Sequence, residues 1–172
     1  VGKCKAAQKN PVLALPHILR GKDSQKGRQL MENWLAAGAD TFLVRSLEQL
    51  GLLKELSRSA VIRVITDANL YTWNTRAEQF LLKTTGTQKN LRIIRTTMPL
   101  ELTAQELAQT KNAVLPRELI VYTHLPLMVS EQCVKKTLGK CDGANGRMTM
   151  TGYRQQYQVQ SVCDLCYSIL YD

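Results

Sequence analysis

Five short apolar runs, each followed by a stretch of helical spacing, constrain this chain more than any other feature. The runs are Val12–Leu19, Thr41–Arg45, Ala60–Thr66, Leu91–Arg95 and Glu118–Thr123. They are rich in aliphatic residues with little polar alternation, as strands buried on both faces of a parallel sheet are. Between them the pattern turns helical. Leu30, Met31, Trp34 and Leu35 share one face, and Gly38 is placed to stop that helix. Ser46 with Gln49 forms a capping box ahead of Leu50, Leu53 and Leu56, and Thr103 with Glu106 forms another. Asn74 to Lys83 reads as a further helix. Strand and helix in alternation mean α/β organisation, either part of a (β/α) barrel or a doubly wound sheet. Five units do not close an eight-stranded barrel, so a barrel needs its other part in another segment.

After Thr123 the pattern breaks. Gly139, Gly143, Asn145 and Gly146 read as loop, and Arg147–Thr151 with Gln156–Ser161 reads as a hairpin around Gly152-Tyr153. The expected organisation is therefore a flexible basic segment over 1–10, a (β/α) half-barrel over 11–125 and a cysteine-rich region over 126–172.

Several function classes lack their signature. No Gly-x-Gly-x-x-Gly follows a strand, His-Glu-x-x-His is absent, and so is Gly-x-Ser-x-Gly. No apolar run approaches the roughly 18–20 residues of a membrane helix, and no apolar signal-peptide core follows Lys3, Lys5 and Lys9. The expected location is cytoplasmic. The start at Val1 rather than Met is what a fragment or a processed chain shows.

Charge points to a partner. Of 172 residues, 23 are Lys or Arg and 14 are Asp or Glu, for a net +9. Phosphate contacts release counterions, so such a balance suits RNA, and it equally serves solubility. The basic residues fall in two groups: Lys3, Lys5, Lys9, Arg20, Lys22, Lys26 and Arg28 at the start, and Lys135, Lys136, Lys140, Arg147 and Arg154 among the late cysteines.

Those cysteines carry the strongest local signal. Cys4 stands apart, whereas Cys133-x7-Cys141-x21-Cys163-x2-Cys166 offers a loop pair and a Cys-x-x-Cys pair. Four thiolates so arranged suit either zinc or a [4Fe-4S] cluster. The alternative is four reduced thiols with no metal. In parallel α/β folds the working groups sit at the carboxyl ends of strands. Arg45, Asp67, Asn69, Arg95 and His124 occupy those places, and two arginines suit a carboxylate or phosphate. His17, inside the first run, reads as structural.

The segments Val61–Leu70, Pro99–Leu102, Glu118–Cys133 and Gln156–Tyr171 together resemble the collagenase-like proteins of peptidase family U32. The resemblance implies the later half of a TIM-barrel-like domain. Four-cysteine members of that family are similar to iron–sulfur proteins of oxygen-independent hydroxylation. Their targets are bases of tRNA or ribosomal RNA, with prephenate as oxygen donor, or the ubiquinone ring. Other members carry a protease label. On this reading Cys133, Cys141, Cys163 and Cys166 hold the cluster, His124 and Asp67 are catalytic, and Arg45, Asn69, Arg95 and Glu101 bind substrate. Three departures stand out. Five residues rather than four separate Cys133 from Gly139-Lys-Cys141, the Cys163–Cys166 spacing differs from the ubiquinone branch, and Ser168 stands where an Asn is usual. The alternatives are a collagenase-like, metal-dependent peptidase and a zinc-stapled binding module.

Overall fold

The computed structural model describes residues 1–19, 21–86, 88–109, 113–152 and 154–172. Arg20 of the first basic group and Tyr153 of the expected hairpin turn lie outside these. The chain divides into two compact units, Val1–Ile120 and Val121–Asp172.

The first unit opens with a short helix, α1 (Gly2–Ala6). Its sheet consists of β1 (Val12–Ala14), β2 (Thr41–Val44), β3 (Ile62–Thr66), β4 (Leu91–Thr97) and β5 (Arg117–Glu118), in that spatial order. Every neighbouring pair is parallel. The connections run through α2 (Asp23–Ala36), α3 (Leu47–Leu56), α4 (Thr75–Thr85) and α5 (Ala104–Gln109). The core contains Leu15, Met31, Phe42, Val44, Leu53, Ile62 and Val64, all fully buried.

The expected helix signals act as their chemistry dictates. Gly38, at φ 81°, ends α2 in a Schellman arrangement: its N–H donates to the Leu35 carbonyl at 2.8 Å and that of Ala39 to Trp34 at 3.3 Å. The Ser46 hydroxyl accepts from the Gln49 N–H at 3.3 Å, and the Asn74 side chain accepts from Ala77 at 3.0 Å. At α5 the box is reciprocal, since Glu106 also accepts from the Thr103 N–H at 2.8 Å.

β2 and β3 fall only one or two residues short of the runs read from sequence, but two strands are much shorter. β1 stops at Ala14 instead of Leu19, because Pro16 has no N–H for the ladder. His17 therefore lies beyond the strand rather than in it. The fifth strand covers only Arg117–Glu118, not residues 118–123. Its one partner, β4, ends at Thr97 ahead of Pro99, so nothing extends the ladder past the Met98 N–H to Glu118 carbonyl bond of 2.9 Å. The sheet is open, with β1 and β5 as its edges.

The second unit is an antiparallel sheet of β6 (Pro126–Ser130), β7 (Gly146–Thr151), β8 (Gln156–Val162) and β9 (Tyr167–Tyr171), ordered β6-β9-β8-β7. Between β6 and β7 lies a single-turn helix, α6 (Val134–Thr137). The expected β7–β8 hairpin is present, with Gly146 opposite Ser161 through Thr151 opposite Gln156. The flanking strands β6 and β9 fall where the sequence reading places no strand. Among the described residues no helix is long and apolar enough to cross a membrane.

One buried ion pair fastens α4 to β5. Glu78, fully buried, accepts from Arg117 Nε at 3.0 Å and Nη2 at 2.8 Å, and its other oxygen accepts from the Val114 N–H at 3.0 Å. Breaking such a pair strands a charge in the interior, at about 3–5 kcal/mol. Glu78→Ala should therefore lower the urea unfolding free energy by about that amount. The fluorescence of Trp34 and Trp73, both in the first unit, reports it. A loss under about 1 kcal/mol, the range of an exposed pair, would show that this contact does not hold the strand.

Candidate substrate cleft and thiol cluster

The carboxyl ends of β1, β2 and β3 are drawn together by side chains rather than by the ladder. Gln49 is fully buried; its carbonyl accepts from the Arg45 N–H at 2.8 Å and its amide donates to the Pro16 carbonyl at 2.6 Å. Arg45 then donates through Nη1 to the Leu15 carbonyl at 2.8 Å and through Nε to Asp67 Oδ2 at 3.2 Å. The other Asp67 oxygen accepts from the Asn69 N–H at 3.1 Å. Both Asp67 oxygens are thus engaged, and the carboxylate's work is to hold Arg45 and start the turn over Ala68–Leu70.

His17 joins this cluster, 3.3 Å from Asn69 Nδ2 through its Nδ1. An amide nitrogen only donates, so Nδ1 accepts and the ring proton resides on Nε2. Burial first, then the Arg45 guanidinium, lowers the His17 pKa to about 4, against the opposing pull of Asp67. The imidazole is neutral at physiological pH. Next to this cluster opens a cleft of about 430 Å3, with Arg45, Ser46 and Asn69 on its polar side and Tyr71, Phe80 and Leu81 on its apolar side. A cation beside an apolar wall is the lining for an anionic group on an apolar or aromatic body.

The structure brings Arg45, Asp67 and Asn69 together, as expected, and adds His17, Tyr71 and Phe80. Arg95 is not with them. It lies inside β4, two residues short of the strand end, and pairs with Glu118 at 3.3 Å on the exposed surface. Glu101 is exposed in the turn between β4 and α5. His124 belongs to the second unit, where it lines a different cleft. One signal for the missed residues was in the sequence: Pro16 frees His17 from the strand. Only the structure shows that α4 carries Glu78 inward and Phe80 outward, the reverse of a simple amphipathic helix.

In the second unit the strand register gathers the cysteines. Ser130 pairs with Ser168, Ser168 with Ser161, and Ser161 with Gly146, which makes one row across all four strands. Beyond this row β6 runs on to Cys133 and β8 to Cys163. Cys166 directly precedes β9, and Cys141 lies in the loop leading into β7. All four therefore emerge at one end of the sheet. The Cys163–Leu165 turn closes with Cys166 at φ 57°, and the loop before β7 is clamped on it. The Cys163 N–H donates to Asn145 Oδ1 at 2.6 Å, and its thiol to the Ala144 carbonyl at 2.9 Å.

Cys133 is 5% exposed. The Lys136 N–H above all, then the Ser168 hydroxyl, the Lys135 N–H and the Ser161 hydroxyl, lower its pKa against the effect of burial. The hydroxyls of Ser161 and Ser168 are themselves buried and make no hydrogen bond of regular geometry. A buried hydroxyl without an acceptor costs about 1–3 kcal/mol, and the group that these two face is the Cys133 sulfur. Burial first, and the neighbouring Cys133, Cys141 and Asp142, push the Cys163 thiol up, while Lys135 pulls it down. The Lys135 ammonium, bonded to Asp142 at 2.8 Å and to the Ala144 carbonyl at 2.9 Å, thus sits among these groups as a cation. As the side chains stand, no group of three or more His, Cys, Asp or Glu among the described residues is close enough to hold a metal ion. All five cysteines are free thiols.

No protein family, no curated protein and no solved structure matches this sequence.

The depressed His17 pKa has a stability consequence. Between about pH 4 and 6.5 the unfolded chain binds a proton at His17 that the folded chain refuses, so stability rises with pH through this window. His17→Gln should flatten that slope in urea titrations at pH 4.5 and pH 7. An NMR titration placing the folded His17 midpoint near 6.5 would refute the buried, neutral assignment.

Proposed function

We propose that this chain is the later part of a U32-type (β/α) barrel enzyme that hydroxylates an RNA base without oxygen, with an iron–sulfur centre on Cys133, Cys141, Cys163 and Cys166. The observation that carries the reading is the serine row, which sends four separate cysteines to one end of one sheet. The donor set fits: four thiols, two buried hydroxyls aimed at a sulfur, and a lysine to offset negative charge. Such a centre, when bound, supplies electron transfer.

The remaining roles in this reading fall to residues of the first unit's own cleft. Arg45, anchored by Asp67, binds the carboxylate of the oxygen donor, for which prephenate is the proposed molecule. Tyr71 and Phe80 shield the donor's ring from water. The open β5 edge, with Leu119 and Ile120 exposed just after it, is a surface that the remaining barrel strands would cover. The net charge of +9 favours a polyanionic substrate, and the location proposed is the cytoplasm.

The test is mass spectrometry of tRNA and ribosomal RNA from cells with and without the protein. One base should gain a single oxygen only when the protein is present, under anaerobic growth as well. Arg45→Ala should lower that gain at least tenfold with the chain still folded. Identical RNA in both strains would end the hydroxylase reading.

A further inference from the structure

We propose that the second unit carries a nucleotide-binding cleft on its four-stranded sheet, lined by Thr123, His124, Arg147, Gln158, Gln160 and Tyr171. The cleft has a volume of about 280 Å3. This inference rests on the RNA reading above and assigns to it a place where one nucleotide of a single strand is held.

The register puts the lining together. Arg147 is directly opposite Gln160 on β7 and β8, and Gln158 is directly opposite Tyr171 on β8 and β9. Directly paired residues project to the same face, and so do residues two apart on β8. Four side chains thus share one face: a guanidinium, two carboxamides and a phenol. Thr123 and His124 close the cleft from the segment that leads into β6. Cys133, Ser161 and Ser168 belong to the opposite side of the pleat, since Ser161 and Ser168 alternate with Gln160 and Ile169.

The chemistry of the lining selects the ligand. No carboxylate is among the lining residues, and Arg147 and His124 supply donors that suit a phosphate. Asp172, the nearest acid in sequence, spends Oδ1 on the Leu125 N–H at 2.7 Å. Carboxamides on one face offer both donor and acceptor, the combination that reads the edge of a nucleobase. Gln158 keeps its carbonyl for this purpose, because its amide nitrogen donates to the Thr149 hydroxyl at 3.3 Å. The Tyr171 ring is a surface for a base to stack on. A simple carboxylic acid would leave both carboxamides and the ring without a role. The volume lies just below the roughly 300–1,000 Å3 of small-molecule sites, room for one nucleotide and not for a duplex.

The experiment titrates the isotope-labelled full chain with the four nucleoside 5′-monophosphates and with a short single-stranded RNA, read by NMR. The expected result is perturbation of the Gln158 and Gln160 side-chain amides and of the His124 ring. Arg147→Ala should weaken binding at least tenfold, and Gln160→Ala should level the preference among bases. Both residues are at least partly exposed, and the unperturbed spectrum of each variant verifies its fold. Arg58→Ala, in the first unit, should bind as the parent does. RNA binding that both cleft variants leave unchanged would overturn the cleft and spare the RNA reading. Monophosphates seated in the cleft without RNA binding would support the cleft and count against the RNA reading. Failure of both ligands to bind would overturn both.

Discussion

The buried carboxamide of Gln49 is the contact on which the first unit's site depends. A parallel sheet leaves its strand ends without ladder partners just where a ligand cleft forms. Here one side chain, fully buried, accepts from the backbone leaving β2 and donates to the backbone leaving β1. It also sits in the first turn of α3, so one side chain ties the helix start to both strand ends. Arg45 and Asp67 extend the tie to β3. The guanidinium facing the cleft is thereby fixed before any ligand arrives, and the ordering entropy is already met in folding.

The second unit solves a different problem with a different device. Its cysteines are scattered over the sequence, and antiparallel pairing gathers them by register alone. A one-residue slip of β8 against β9 would turn Ser161 away from Cys133 and put Gln160 in its place. Two opposing effects meet at Cys133. Burial favours the neutral thiol, whereas two N–H groups and two hydroxyls favour the thiolate, and the net effect is a lowered pKa. At Cys163 the balance goes the other way, because burial and neighbouring negative charge outweigh Lys135. A bound cation would remove that repulsion.

Much of the first unit was legible in the sequence because its signals are local. Ser46, Asn74, Thr103 and Gly38 each mark a helix end through their own backbone bonds. What was not legible depends on partners. Glu118–Thr123 has all the aliphatic character of a strand, yet a strand needs a neighbour, and β4 ends too soon to provide one. Glu78 looks like a surface residue until Arg117 is placed against it. Arg95 looked like a strand end, whereas β4 runs two residues further. In the second unit the cysteine spacing named the four thiols. The serine row that collects them follows from pairing that no periodicity announced, since Pro126–Ser130 and Tyr167–Tyr171 alternate poorly.

The central claim is that Cys133, Cys141, Cys163 and Cys166 act as one iron–sulfur centre. The direct measurement is the iron and acid-labile sulfide bound per chain after anaerobic reconstitution, in the parent and in five single Cys→Ala variants. The account predicts a brown protein in the parent and in Cys4→Ala. Iron and sulfide should be lost in each of the other four variants. A colourless parent with zinc alone would contradict the iron–sulfur assignment, and equal metal retention by all five variants would contradict the single centre itself.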